Sequence, residues 1–148
     1  MTDDIPALQR PEDTPPIRSQ ADLLRQWRAL MGGLGFDSAQ LFIAVLDADR
    51  RFTPAIHNIV ELPDVPDTEA IDGLMTLCRM LLEEVFPGGS AAFLFARPGP
   101  AGLTAADRAW ASRLVAAAAE HDVPAHPVHL ANDHEVQVFA PDDQIASA

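Results

Sequence analysis

Four histidines near the C-terminal end of the chain are its first candidates for metal chemistry: His121, His126, His129 and His134. A zinc ion requires three or four imidazoles, thiolates or carboxylates that converge with tetrahedral geometry. The spacing of these histidines matches no closed zinc pattern, and alternation along a strand over residues 126–130 places His126 and His129 on opposite faces. The sequence therefore disfavours a metal site here, and it leaves open whether the four side chains converge.

The single cysteine and the absence of lysine exclude several other kinds of site. Cys78 lies within an apolar helical stripe, where a free cysteine is usually buried and unreactive. One cysteine permits neither an intrachain disulfide framework nor a multi-cysteine zinc site. The stretch Gly88-Gly89-Ser90 leads into a strand and not a helix, and a chain without lysine has no phosphate-binding P-loop. No serine lies in a Gly-x-Ser-x-Gly turn.

The loop of residues 97–103 is the strongest candidate for a functional site, because it leaves a buried strand and leads into a helix. Thr104 and Asp107 have the spacing of a capping box, in which each side chain accepts from the other residue's amide. An acid here also favours the positive end of the helix, so it needs no metal to explain it. Arg97 is either a solvated loop residue or the ion-pair partner of Asp107.

Hydrophobic periodicity predicts eight elements in the order α-ββ-α-β-α-ββ. Helices are predicted after the N-cap Ser19, over residues 68–86, and from Thr104 to about residue 122. Strands are predicted over residues 40–46, 52–62, 91–96, 127–130 and 135–139. Pro54 indicates a bulge or an edge position, and the wholly apolar run 91–96 is typical of a central strand. This order predicts an α/β (α+β) sandwich in which helices cover a mixed β-sheet.

The second predicted helix carries more apolar residues than one buried face requires. One stripe of this helix is formed by Ile71, Leu74, Cys78, Leu81, Leu82 and Val85. Met75, Leu77 and Met80 widen the stripe. We therefore expect this helix to be covered on two sides, by the sheet and by another element.

The chain of 148 residues predicts one folded domain with a short segment at each end. Residues 1–16 contain four prolines and four acids without apolar periodicity, a composition typical of a disordered arm. Residues 141–148 are predicted to form a flexible tail. The folded body is predicted to span residues 17–140.

Composition and charge restrict the partners and the compartment. The chain has 22 acidic and 10 basic residues and a net charge of −12, so its field repels phosphate backbones and acidic lipids. We therefore expect neither a nucleic acid nor a membrane as partner. No apolar run approaches the ~20 residues that span a bilayer, and the acidic N-terminus is not a secretory signal. Every basic residue is arginine, which is typical of a GC-rich bacterial genome, and the cytoplasm is the expected compartment.

Several of these patterns resemble the RadC-like branch of the JAB/MPN metalloprotease fold. The opening Ile17-Arg-Ser-Gln-Ala-Asp-Leu-Leu24 is similar to the family's entry into its first helix, and Gln40-Leu-Phe-Ile-Ala-Val-Leu-Asp47 resembles its first hairpin. The strand 91–96, the Pro/Gly loop and Thr104-Ala-Ala-Asp107 resemble its metal-binding stretch, His-x-His-Pro-Ser-Gly followed by Ser-x-x-Asp. The resemblance covers residues 17–140 and implies a JAB/MPN-like fold. In that family two loop histidines and the aspartate hold zinc, and an acid on the first strand is the general base.

The departures from this family pattern imply a domain that has lost the zinc chemistry. Phe95 and Arg97 stand where the resemblance expects the two histidines, and Asp107 alone carries over as a ligand. The general base corresponds to Gln40, an amide that cannot take a proton from water. One carboxylate cannot hold catalytic zinc, which needs about three protein ligands. We therefore expect no metal, no other cofactor and no catalytic residue, but a vestigial site at Gln40, Phe95, Arg97, Thr104 and Asp107.

The role that these departures imply is a scaffold or protein-interaction module. One alternative is a zinc-dependent peptidase or isopeptidase with a rearranged ligand set, Asp107 together with His126, His129 or His134. Another is a regulator that binds a small anion at the 97–107 loop, where a helix N-terminus offers its amides. Neither the identity of a protein partner nor the oligomeric state follows from the sequence.

Overall fold

A five-stranded mixed sheet forms the centre of the computed structural model, which describes residues 16–140. The helices are α1 (Gln20–Met31), α2 (Thr68–Glu84) and α3 (Ala105–Glu120). The strands are β1 (Gln40–Leu46), β2 (Phe52–Ile59), β3 (Ser90–Ala96), β4 (His129–Ala131) and β5 (Val136–Val138). The predicted order and the α+β class are thus confirmed. Apart from Pro16, the predicted arm of residues 1–16 and the predicted tail of residues 141–148 lie outside the described residues.

The strands lie in the order β2-β1-β3-β4-β5. β3 and β4 run parallel, and the other neighbouring strands are antiparallel. β3 occupies the middle position and is buried from Ala91 to Ala96, which confirms the central strand predicted from its apolar run. β2 lies at the edge, and its pairing with β1 shifts register between Ala44 and Leu46, so both expectations drawn from Pro54 are met.

The sheet separates two apolar cores. On one face, Leu41 and Phe93 pack with the buried residues of α2 and α3, and we call this the α2/α3 side. On the other face, Trp27 of α1 packs with Ala44 and Leu94, and we call this the α1 side. Strand alternation produces this division, because successive side chains point to opposite faces of a sheet. The arrangement has three layers, with α1 alone on its side.

The ends of the elements follow local hydrogen bonding. The Ser19 side chain accepts from the Asp22 amide at 3.2 Å and begins α1 as predicted. β2 ends at Ile59 and not at residue 62, because Glu61 takes a left-handed φ of 57° and turns the chain. α2 ends at Glu84, where the amides of Val85 and Phe86 both donate to the Leu81 carbonyl. None of the helices within residues 16–140 has the length and apolarity of a bilayer-spanning segment.

The expectation that α2 is covered on two sides is wrong for the part of the chain that the structure describes. Leu77 and Met80, which widen the apolar stripe, are 45% and 50% exposed. α3 packs beside α2 on the same face of the sheet and not above it, and the two helices meet through contacts such as Asp72 to His121. The extra apolar residues of α2 therefore face outward.

Candidate functional site

The loop between β3 and α3 is organised around the guanidinium of Arg97. Arg97 lies one residue beyond β3, and Asp107 lies in the first turn of α3. Arg97 Nε is 3.1 Å from Asp107 Oδ1, and Nη2 is 3.0 Å from Oδ2. The two side chains are only 10% and 4% exposed. Of the two alternatives that the sequence left open for Arg97, the ion pair is thus confirmed and the solvated arginine is wrong.

The same guanidinium also gathers three carbonyl groups of its own loop. Nη1 donates to the carbonyls of Pro98 and Pro100, at 3.2 and 2.8 Å, and Nη2 donates to that of Gly102 at 2.8 Å. Gly99 and Gly102 take left-handed φ values of 110° and 103°, which let the loop curl around the side chain. All five N–H groups of the guanidinium therefore have an acceptor within the loop or on Asp107, and none is left for a bound anion.

A turn from the far end of the sheet supports this loop from outside. Asp133 Oδ2 accepts from the Gly99 amide at 2.8 Å, and Oδ1 accepts from the Phe36 amide at 3.1 Å. These two amides lower the pKa of Asp133 below its ordinary value, because they stabilise the charged carboxylate. Asp133 thus ties the 97–103 loop to the chain that enters β1.

Thr104 and Asp107 form the capping box that their spacing predicts. Thr104 Oγ1 accepts from the Asp107 amide at 3.0 Å, and Asp107 Oδ2 accepts from the Thr104 amide at 2.9 Å. The carboxylate of Asp107 therefore serves the helix N-terminus and Arg97 at once. It has the partners that a buried carboxylate needs, without a metal ion.

Removal of the capping hydroxyl measures how much the capping box contributes to the stability of the fold. Thr104→Ala is expected to lower the free energy of unfolding by about 1 kcal/mol, because the Asp107 amide loses its acceptor. Thr104→Ser keeps the hydroxyl and is expected to retain most of the stability. Urea denaturation followed by tryptophan fluorescence measures both variants. Equal losses in the two variants would contradict the capping role.

Phe95 belongs to the core below the loop. It is 1% exposed and stacks on Trp110, with ring centroids 5.5 Å apart and an interplanar angle of 13°. Trp110 Nε1 donates to the Pro63 carbonyl at 2.8 Å, which ties the 62–67 loop to α3. A groove of about 740 Å³ lies between the 62–67 and 97–103 loops, and Phe95, Arg97 and Thr104 are among the residues that line it.

Gln40 does not join the other four predicted site residues. It pairs in the sheet with Ala96, which packs on the α1 side, and directly paired residues share a face. Its Oε1 accepts from Asn58 Nδ2 at 3.1 Å. Phe95, Arg97, Thr104 and Asp107 meet at the start of α3, whereas the amide of Gln40 points to the opposite face of the sheet.

The residues around Asp107 do not fit a zinc ion. The Arg97 guanidinium lies against the carboxylate where a cation would bind, and both carboxylate oxygens already accept hydrogen bonds. Within residues 16–140, no group of three or more His, Cys, Asp or Glu side chains is arranged to hold a metal. His129 pairs with Leu94 of the α1-side core, so the sheet separates it from Asp107.

Three of the four C-terminal histidine side chains have separate hydrogen-bond partners. His121 Nε2 is 3.1 Å from Asp72 Oδ1, and His129 Nδ1 is 3.2 Å from the Pro127 carbonyl. The amide of His134 donates to Asn132 Oδ1 within the β4–β5 turn. The predicted alternation between His126 and His129 does not apply, because β4 begins only at His129.

Sequence reasoning missed one pair of chemically active side chains. Ser90 Oγ and His126 Nε2 lie 2.8 Å apart, and a bridge between Ala91 and Ala125 brings the two segments together. Burial lowers the pKa of His126, and the positive charge of Arg50 lowers it further. A hydrolytic triad needs a third group that orients the imidazole. Among the described residues, no carboxylate hydrogen-bonds to His126. The pair therefore lacks the third group that a nucleophilic site needs, and it instead holds the start of β3 against the segment that contains His126.

The buried thiol is equally unsuited to chemistry. Cys78 is 2% exposed, and burial raises its pKa to about 11. A thiol with such a pKa remains protonated near neutral pH and is a poor nucleophile. The inert role predicted from its place in an apolar stripe agrees with this environment.

No family model, no curated protein and no solved structure matches this chain. The α+β fold, the Arg97–Asp107 pair and the exposed apolar side chains are therefore the observations on which a function has to rest.

Proposed function

We propose that this domain is a non-catalytic, metal-free protein-interaction module of the RadC/JAB-like kind, in which Arg97 takes the place of the metal ion. One observation carries the proposal: the buried guanidinium of Arg97 lies on Asp107, the only residue that corresponds to a zinc ligand in the family pattern. A metal ion at this carboxylate would have to displace a bidentate, buried ion pair. The bacterial cytoplasm is the compartment that the proposal assigns to it.

The geometry argues against both alternative functions at this loop. A second cation beside the buried arginine would be repelled at short range, where the low dielectric strengthens the interaction. A small anion would find the amide of the α3 N-terminus opposed by the Asp107 carboxylate and the guanidinium donors all engaged. Gln40, the residue at the position of the general base, points to the other face of the sheet.

The distribution of exposed apolar side chains supports an interaction role. In residues 16–140 the exposed large apolar residues are Ile56, Ile59, Val60, Val65, Leu77, Met80, Val85 and Val115. All of them except Val115 come from the segment of residues 56–85, which contains the end of β2, the following loop and α2. Ile56 pairs with Ala44 and lies on the α1 side, whereas Ile59 pairs with Leu41 and lies on the α2/α3 side, where α2 also packs. Exposed apolar surface of this kind favours a protein–protein interface.

Metal analysis tests the proposed loss of zinc chemistry. The native protein, purified without added metal, is expected to contain far less than one zinc per chain. Addition of zinc or of a chelator is expected to leave its melting temperature unchanged, because a ligand stabilises a fold only if the native state binds it. His134→Ala serves as the control for adventitious binding by a histidine that does not belong to the site. Stoichiometric zinc together with a melting temperature that a chelator lowers would overturn the proposal.

A further inference from the structure

One edge of the sheet, formed by β2, carries neither an acid nor an arginine. β2 is an edge strand of eight residues, and its sequence Phe-Thr-Pro-Ala-Ile-His-Asn-Ile contains neither an acid nor an arginine. Edge strands of monomeric proteins are usually blunted by charged residues, because their unpaired amides and carbonyls can recruit another strand. Pro54 blunts β2 near its beginning only. Residues 55–59 therefore present a neutral strand edge in a chain whose net charge is −12.

The outward side of α2 continues this surface. Leu74, Leu77 and Leu81 follow one another at spacings of three and four, so they share one side of the helix. Asp72 and Arg79, on the other side, contact His121 at the end of α3. The leucine side of α2 therefore faces away from α3, over the β2 half of the sheet.

The strand contributes apolar side chains to the same surface. Ile59 is 42% exposed and pairs with Leu41, which packs in the α2/α3 core, so Ile59 lies on the face that α2 covers. Ala55 packs at the margin of the same core. We define the β2–α2 flank as Ala55, Ile59, Leu74, Leu77 and Leu81.

We infer that the β2–α2 flank is the docking site for a second copy of this chain. The inference deepens the proposed interaction role, on whose apolar surface it rests. The two β2 strands would pair antiparallel about a two-fold axis near His57 and Asn58, so that the sheet continues across the interface and the two α2 helices meet. Such pairing gives hydrogen-bond partners to the amides and carbonyls on the open edge of β2, and it also buries the leucine side of α2.

Charge selects a second copy over an unrelated partner. A two-fold axis brings each residue close to its own counterpart, and like charges directly opposite one another destabilise a strand pair. A surface that meets itself must therefore be neutral near the axis, and residues 52–59 carry neither an acid nor an arginine in a chain whose net charge is −12. A basic partner would find its complement on the acidic surfaces elsewhere and not on this flank.

Sedimentation equilibrium of the full chain tests the inference. We expect a species of twice the 16.0 kDa chain mass. Ile59→Glu is expected to raise the dissociation constant about tenfold or more, because it places two carboxylates close to the axis. Val115→Glu on α3 is the matched control, since Val115 is 41% exposed against 42% for Ile59, and it is expected to leave the dimer intact. Circular dichroism and the melting temperature establish that both variants remain folded.

A cysteine at the axis tests the position of the contact. His57→Cys is expected to form a disulfide with its own copy on mild oxidation, whereas Val115→Cys is expected to remain monomeric on a non-reducing gel. The native Cys78 is buried and does not compete. A monomer at every concentration, or a dimer that Ile59→Glu and Val115→Glu weaken equally, would overturn the inference. Neither result would bear on the zinc content, so failure of the inference is distinguishable from failure of the proposed function.

Discussion

Arg97→Ala is expected to lower the free energy of unfolding by about 3–5 kcal/mol, the loss typical of breaking a buried ion pair by removal of one partner. The variant leaves the Asp107 carboxylate, 4% exposed, without its counter-ion. It also removes the donors that hold the carbonyls of Pro98, Pro100 and Gly102. Urea denaturation followed by the fluorescence of Trp27 and Trp110 measures the loss.

Three comparisons separate the role of the pair from a general effect of mutation. Arg97→Lys keeps the positive charge but cannot serve the carboxylate and three carbonyls at once, so it is expected to recover only part of the stability. Arg25→Ala, at an exposed arginine of α1, is expected to cost less than about 0.5 kcal/mol. The double variant Arg97→Met/Asp107→Leu is expected to lose less free energy of unfolding than the sum of the losses in the two single variants. An Arg97→Ala variant as stable as Arg25→Ala would contradict the proposed function, because Arg97 would then not be seated firmly on Asp107.

Acidification from pH 6.5 to pH 4 is expected to cost the fold roughly 3 kcal/mol through His129 alone. Burial lowers the pKa of His129 from its ordinary 6.5 to about 4; the Pro127 carbonyl opposes this shift and the charge of His126 adds to it. The side chain is 0% exposed, and its Nε2 has no hydrogen-bond partner among the described residues. At a pH between the two pKa values, the imidazole of His129 binds a proton in the unfolded chain but not in the folded chain. The contribution is therefore complete above pH 6.5 and is lost progressively as the pH falls towards 4.

A variant that does not titrate isolates this contribution. His129→Leu removes the imidazole from a buried position, and its free energy of unfolding is expected to fall less steeply between pH 6.5 and pH 4 than that of the native protein. His126→Gln is the comparison, because His126 is only half-buried and is expected to change the slope less. Asp133 does not disturb this comparison. Because its pKa is lowered in the folded state, the stability that it contributes is lost only as the pH falls below the ordinary aspartate range, which lies below this window. Parallel stability curves for the native protein and His129→Leu would contradict the assignment.

Interactions between residues that are near neighbours in the chain could be predicted from the sequence. Ser19, Thr104 and the glycines after α1 mark helix ends because caps and left-handed turns are made by residues within a few positions of one another. The bounds predicted for the first strand agree with β1, since strand alternation and the flanking turn are also local. The ion pair between Arg97 and Asp107 joins residues only ten positions apart at one helix N-terminus, and the sequence offered it as one of two alternatives.

The extent of two elements was less predictable, because long-range contacts decide it. The chain leaves β2 after Ile59 where the Leu62 amide donates to the Ala39 carbonyl across the loop, although Val60 would suit a strand. The number of apolar residues in α2 predicted that a second element packs on the side of the helix opposite to the sheet. Among the described residues, only the side towards the sheet is buried in this way, and Leu77 and Met80 are exposed. Hydrophobic periodicity measures how much apolar surface an element has, but it does not say which neighbour buries it.

The sequence by itself determined the order of the helices and strands and the capping box, because each depends on hydrophobic period or on contacts between near neighbours in the chain. It left Arg97 either solvated or paired with Asp107, and the tertiary structure decided for the pair. Only the tertiary structure decided that Gln40 faces away from Asp107, that His126 meets Ser90 and that the four histidines do not converge. It also placed Ile59 and the leucines of α2 on one outward flank. The physical reason is the order and register of the sheet, since they set which side chains share a face across segments far apart in the chain.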